Sequence, residues 1–249
     1  MKAIRVRAYQ NMVSYRKPTS FSIKESFPLP PYSGVIGMVH AACGFEEYVP
    51  MKVSVQGEYF SSITENYIKY EFGAGTFFEA ERHQLSIPSQ DKKPYGINRG
   101  FGSIQLLIDV DLLLHIIPED EKKIDEIAKG LLNPGKYLSL GRWEDLLRID
   151  EVSIVEIEKT ILDDSVTLEQ DAYVPIELLK KDMNLFSKDE STRYRIGKVF
   201  STTKDKLGYR KWEEIIPVSH VCRKSKLYED VEIWCERLEN NDIIPVFPA

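Results

Sequence analysis

The stretch from Phe27 to Gly44, Phe-Pro-Leu-Pro-Pro-Tyr-Ser-Gly-Val-Ile-Gly-Met-Val-His-Ala-Ala-Cys-Gly, constrains the fold more than any other part of the chain. Pro28, Pro30 and Pro31 fix φ and hold their predecessors extended. Ser33 then suits an N-cap, because its hydroxyl can accept from the open backbone N–H groups two or three residues on. Val35, Ile36, Met38, Val39, Ala41, Ala42 and Cys43 surround the predicted helix with apolar groups. A helix apolar all round is buried on more than one side. Gly34 and Gly37 permit close backbone approach, and Gly44 fits the left-handed position after the last turn. His40 is the one strongly polar side chain of this helix.

Periodicity orders the rest. Lys2 to Tyr9 alternates, with Ile4, Val6 and Ala8 on one side and Arg5, Arg7 and Tyr9 on the other. Met51 to Gln56 and Asn66 to Phe72 read as second and third strands, and Ile104 to His115 as the strongest strand, with Leu106, Ile108, Val110, Leu112 and Leu114 inward. Pro118 is expected to open a helix whose first turn carries Glu119, Asp120 and Glu121 and whose stripe is Ile124, Ile127, Ala128, Leu131 and Leu132. Glu151 to Glu158 gives another strand. The order is β-α-β-β-α-β, a split βαβ arrangement over residues 1–160. A glycine-containing basic insertion, about 73–103, is expected to project as a hairpin, with a surface loop as the plainer alternative. Residues 161–249 read as a small β-rich C-terminal domain, with strands around Tyr194–Phe200 and Trp212–Val221.

With 43% apolar residues a real core is available, and no apolar run reaches membrane-spanning length. Met1 to Arg7 reads as a strand, not a signal peptide. Cys43, Cys222 and Cys235 carry no metal spacing and suit a reducing cytoplasm. A net charge of −6 counts against a nucleic-acid binder when taken alone. The distribution counts the other way. Lys2 to Lys24 holds six basic residues and no acid, and Arg193 to Lys211 holds seven against Asp205, while acids gather at Glu119–Glu121 and from Glu151 to Asp171. Segregated basic tracts can bind phosphate on an acidic protein, and they can equally be solvated strand faces.

A later segment, Lys136-Tyr-Leu-Ser-Leu-Gly-Arg-Trp-Glu-Asp-Leu-Leu147, complements the first. Together the two stretches resemble the fifth family of CRISPR-associated (Cas) proteins, in its type I-B branch. Pro30 to Gly37 matches the family's Pro-Pro-x-Ser-x-x-Gly opening with one extra residue, and Ser139 to Leu146 matches Ser-Leu-Gly-Arg-x-Glu-Asp-Leu. The resemblance implies an α+β, ferredoxin-like (RRM-like, repeat-associated) domain with a thumb-like insertion. It implies a non-catalytic subunit of the surveillance complex Cascade that grips the 5′ handle of crRNA in antiviral defence. The implied partners are crRNA, the backbone subunit and the large subunit, with target DNA near the protospacer-adjacent motif as a further candidate.

The candidate RNA contacts are Arg5, Arg7, Ser33, His40, Arg82, Lys92, Lys93, Arg99, Gly141, Arg142, Trp143, Arg193 and Arg195. Glycine lets backbone approach a phosphate, arginine forks onto phosphate or stacks on a base, and tryptophan offers an unpaired base a surface worth about 1–3 kcal/mol. For Trp143 a core position is the alternative, and for Arg142 a pairing with Glu144 or Asp145. A relative in type I-C systems cleaves its precursor RNA with a Tyr, a Lys and a His. Tyr32, His40 and Lys92 or Lys93 are the counterparts, but the Lys-His dipeptide is replaced by Asn98-Arg99-Gly100-Phe101. Metal-independent endoribonuclease activity is therefore the alternative function. Asp109 and Asp111 share one strand face, which a half-exposed strand explains as well as a cation does. No Walker A, dinucleotide or serine-hydrolase signature is present, and no cofactor or metal is expected.

Overall fold

The computed structural model describes residues 1–91, 93–181, 185–186, 191–202, 208–238 and 242–249, the side chains of 72–75 apart. In chain order the elements are β1 (Lys2–Val13), β2 (Ile23–Lys24), α1 (Tyr32–Cys43), β3 (Met51–Phe77), β4 (Leu85–Pro88), β5 (Pro94–Pro118) and α2 (Ile124–Leu132). They continue with β6 (Arg148–Ile161), β7 (Val166–Thr167), β8 (Asp171–Pro175), α3 (Ile176–Lys181), β9 (Thr192–Thr202), β10 (Arg210–Val221), β11 (Lys226–Leu227), β12 (Glu232–Arg237) and β13 (Ile243–Val246). The main sheet has the order β13-β12-β6-β1-β5-β3-β8-β10-β9, and β2 and β4 attach to β5. It is antiparallel apart from the short β2·β5 pair.

β1, α1, β3, β5, α2 and β6 give the expected β-α-β-β-α-β succession, with strands in the spatial order β6-β1-β5-β3. The predicted second and third strands are one strand. Between Gln56 and Asn66 every position from Glu58 to Glu65 except Phe60 has a partner on β5, so the polar Glu58, Ser61, Ser62 and Thr64 continue a strand that leaves the core. β5 likewise begins at Pro94, not Ile104, and the expected hairpin is an extension of β3 and β5. This arm exposes Ile68 (57%), Tyr70 and Phe101 (86%).

α1 buries Tyr32, Val35, Ile36, Met38, Val39 and Ala42 against the inner row of β1, β3 and β5. Two local expectations fail here. Pro31 is the N-cap residue and no side chain caps the helix, because Tyr32 already has helical geometry and Ser33 sits inside the first turn. Gly37 faces open space, whereas a Cβ on Gly130 of α2 would come within 2.7 Å of Cys43 Sγ, so the close helix contact is made from the other partner. Gly44 does close α1 in the left-handed region, at φ 70°. α2 starts later than predicted: Pro118 ends β5, and Asp120 accepts from the Lys122 N–H to begin a 3-10 turn before Ile124.

The other face of the sheet is covered by the C-terminal segment. Gln56 Nε2 donates to Pro245 O at 2.7 Å, Phe247 N–H donates to Ser54 Oγ at 3.0 Å, and Val53 and Ala249 exchange backbone hydrogen bonds at 3.1 and 3.2 Å. Strands after residue 161 thus join both ends of the sheet, and they share a second apolar cluster that includes Leu162, Leu168, Val174, Leu227, Val231 and Phe247. No helix among the described residues is long and apolar enough to cross a membrane.

Candidate nucleic-acid interface

Residues 138–147 turn back on themselves between α2 and β6. The Leu140 N–H donates to Asp145 O at 3.1 Å and the Leu147 N–H to Leu138 O at 2.9 Å. Gly141 has φ 115°, and a Cβ there would lie 2.7 Å from both Asp145 Oδ2 and Val13 Cγ2, so glycine is required. Asp145 is the hub, 1% exposed. Its Oδ2 accepts from the Ser14 N–H (3.0 Å) and the Arg142 N–H (2.8 Å), and its Oδ1 accepts from Arg142 Nη2 at 2.6 Å. Gln10 Nε2 donates to Leu140 O (2.8 Å) and Asp145 O (3.1 Å), and its Oε1 accepts from the Tyr15 hydroxyl at 2.6 Å. Buried hydrogen bonds of this kind fix one conformation, since breaking them leaves unpaired polar groups.

Arg142 is therefore a clamp, not a free cation. It also reaches Glu144 at 3.1 Å. Burial works against its charge, but the Asp145 hydrogen bonds and the carboxylates of Asp145, Glu144 and Glu65 prevail and raise its pKa. Trp143, by contrast, is 94% exposed, which excludes the core position for it. Tyr137, at the start of the same loop, is 93% exposed. Tyr137, with Leu132, Pro134, Leu138 and Ile149, lines a cleft of about 630 Å³.

The remaining cations sort by their partners. Arg5 is ion-paired with Glu236 and, at 2.6 Å, with Glu151, while His115 Nε2 lies 3.0 Å from the other Glu236 oxygen; this network ties β1 to β5, β6 and β12. Arg7 pairs more loosely with Glu151 at 3.4 Å. Arg5 is thus held by two carboxylates, because β12, paired to β6, brings Glu236 to a face that periodicity reads as open. Arg148, Arg223 and Arg237 also face carboxylates. Arg16, Arg82, Arg99, Arg193, Arg195 and Arg210 have no ion-pair partner among the described residues, and all six are exposed. Arg82, Arg99 and Lys93 lie on the arm, Lys93 over the Phe77 ring at 5.5 Å; Arg193 and Arg195 lie on β9. Lys92 falls outside the described residues.

His40 is engaged at both ring nitrogens: Nδ1 donates to Ile36 O at 2.8 Å and Nε2 accepts from the Val49 N–H at 3.0 Å. Its ring stacks on Tyr48 and meets the edge of Phe45. That arrangement anchors the turn after α1 and leaves the ring no free nitrogen for RNA. Tyr32 is fully buried, its hydroxyl has no hydrogen-bond partner among the described residues, and burial pushes its pKa far up. Asp109 accepts from the Tyr9 hydroxyl at 2.5 Å, and burial, then Glu58 and Asp150, raise the Asp111 pKa. No group of His, Cys, Asp and Glu suited to a metal occurs among the described residues. The hub role of Gln10 and Asp145 has no local sequence signal, because the two are far apart in the chain and meet through the sheet.

Comparison with known proteins completes this picture. The family profile described as CRISPR-associated protein (Cas_Cas5), of the Cas5d kind, matches residues 3–211. The chain belongs to the Cas5 family of CRISPR-associated proteins. Among solved structures it is similar to a chain of a CRISPR RNA-guided surveillance complex, at 16% identity, 92% coverage of each chain and TM-score 0.54. It is also similar to a CRISPR protein from Archaeoglobus fulgidus, at 10% identity, 99% coverage of each chain and TM-score 0.50. At these identities the likeness concerns the fold: a mostly antiparallel sheet with few helices, as in this chain. No curated protein matches it.

Proposed function

We propose that this Cas5 family member is a non-catalytic, cytoplasmic subunit of a type I-B CRISPR surveillance complex (Cascade). In this reading it binds the 5′ handle of crRNA, caps the filament of backbone subunits and lies beside the large subunit, in antiviral defence. Target DNA near the protospacer-adjacent motif is a further candidate contact. The domain is read as ferredoxin-like, with the β3–β5 arm as its thumb and residues 161–249 as the β-rich C-terminal part. One observation carries the RNA assignment: on a chain of net charge −6, the arginines without carboxylate partners among the described residues include Arg82 and Arg99 on the arm and Arg193 and Arg195 on β9. Exposed guanidinium groups without such partners suit phosphate oxygens.

Binding without cleavage is supported by Tyr32 and His40, whose functional atoms are buried or already bonded. The type I-B branch rests on the two sequence stretches, and the Cas5d profile makes the type I-C branch the comparison to test against. Co-expression with the genomic neighbours, followed by size-exclusion and RNA extraction, tests the whole reading. A crRNA-containing complex with a backbone subunit is expected. Recovery of the chain alone and RNA-free would end it. Cleavage of repeat RNA in the presence of a chelator, abolished by His40→Ala, would replace it with the endoribonuclease.

A further inference from the structure

β6 has a strand on both sides for only part of its length. β12 pairs with it from Ile157 to Ile161, whereas residues 148–156 pair with β1 alone among the described residues. Met1 and Ile157 exchange backbone hydrogen bonds at 2.9 and 2.8 Å. Bonded and non-bonded pairs alternate along an antiparallel ladder, so Val155, Ser153 and Glu151 turn their N–H and C=O groups to β1, while Glu156, Ile154 and Val152 turn theirs away from it. The register shift between Arg7 and Ala8 leaves Asp150 without a partner and ends this regular run.

Sheet edges are usually blunted by shortness, proline or charge. The two terminal strands of the main sheet follow that pattern: β13 has four residues with Pro245 among them, and β9 carries Arg193, Arg195 and Lys198. The stretch Val152-Ser-Ile-Val155 on the open side of β6 has none of these devices. Ile154 lies opposite Ile4, on the side of the sheet that holds the core, yet it is 44% exposed. Beside Ile149 and Val152 opens the cleft that Leu132 and Tyr137 line. Its two carboxylates are engaged, Asp150 by Arg148 and Glu151 by Arg5. Lys136 in the cleft wall and Glu156 at the other end of the run have no ion-pair partner among the described residues.

We infer that this edge accepts a segment of another polypeptide as an added strand: extended, apolar at every second residue, with an acid at the end beside Lys136 and a base at the end beside Glu156. Backbone hydrogen bonds to Val152, Ile154 and Glu156 supply the affinity. Alternate side chains of the segment, which fall beside Ile154 and over the cleft, supply the specificity. A second copy of this chain is a poorer match, because the run from Glu151 to Glu156 would bring two carboxylates and no cation to the shared edge. The inference needs neither guide binding nor the arm.

The test combines fluorescence anisotropy and NMR hydrogen exchange on the full chain. The probe is a short peptide alternating valine and threonine, with aspartate at one end and arginine at the other, made in both chain directions and again with N-methylated valines. One direction is expected to bind and to slow amide exchange at Val152 and Ile154, while Ser153, already bonded to β1, stays as it was. N-methylation should weaken binding at least about tenfold, and so should Ile154→Lys, which keeps the backbone but sets a cation at the edge. Ile154→Val should bind as the wild type does, and an unchanged melting temperature in Ile154→Lys would separate a blocked edge from a lost fold. Lys136→Glu should weaken binding about threefold and favour a peptide with lysine in place of the aspartate. The inference falls if neither direction binds, or if binding leaves exchange at Val152 and Ile154 unaltered, which would make the cleft alone the site. It also falls if sedimentation finds a dimer that Ile154→Lys dissociates, which would assign the edge to a second copy. Each of these results would leave the proposed function standing, since none concerns crRNA.

Discussion

Trp143 and Asp145 sit two residues apart with opposite exposures, 94% and 1%, and the second explains the first. A large ring held in water is kept there by hydrogen bonds beneath it, so the two residues respond differently to truncation. Trp143→Ala should change unfolding free energy by less than about 0.5 kcal/mol, whereas Asp145→Ala, which orphans the Ser14 and Arg142 donors, should cost at least about 2 kcal/mol. Gly141→Ala should cost about 1–3 kcal/mol through its φ alone. Urea titration with hydrogen exchange of residues 138–147 measures all three, and unchanged exchange in Asp145→Ala would refute the hub. Tyr32→Phe removes a buried hydroxyl without a partner among the described residues and should be neutral or stabilising by about 1 kcal/mol. Clear destabilisation would show that the hydroxyl is satisfied. The motif residues around Gly141 were legible in the sequence; their roles were not, since a local Arg-x-x-Asp pair reads equally as surface chemistry until Gln10 and Ser14 arrive from β1.

Strands carry the next level. Glu151 of β6 accepts from Arg5 at 2.6 Å and from Ser153 at 2.8 Å, and these bonds, Arg5 first, hold its carboxyl below the ordinary glutamate range against the effect of burial. A lowered folded pKa means stabilisation that is complete above the unfolded value, about 4.3, and lost as pH falls through the folded one. Wild-type protein should therefore lose stability more steeply than Glu151→Gln below about pH 4.3, with a constant difference above it. Thermal melts across that range read the effect, and parallel curves would dissociate Glu151 from the tie between β1 and β6. Element types were legible from apolar periodicity, as in α1, α2 and the inner row of β5. Element lengths were not. Where β3 leaves the core its residues turn polar and the period-two signal fades, although the ladder continues from Gln56 through Tyr67 to Phe72.

For the whole molecule, the useful quantity is where charge is left uncompensated. Arg82 and Arg99 on the arm stand apart from the ion-paired body, so Arg82→Glu with Arg99→Glu should leave the melting temperature unchanged while co-purified crRNA falls several-fold and becomes salt-sensitive. Undiminished crRNA at elevated salt would count against the arm as a guide contact. Sequence tracts located the basic regions but mixed bound and free cations, because Arg5 and Arg193 look alike until the acids of a distant strand are placed. Since the arm prolongs the same two strands that cross the core, from Met51 opposite Pro118 to Phe72 opposite Ile97, its reach cannot be tuned continuously. Removing a single residue from each strand turns every distal side chain to the opposite side, whereas removing two from each preserves the facing and draws the tip in by about 6.6 Å. Evolution or an engineer can resize this projection only in whole pleats.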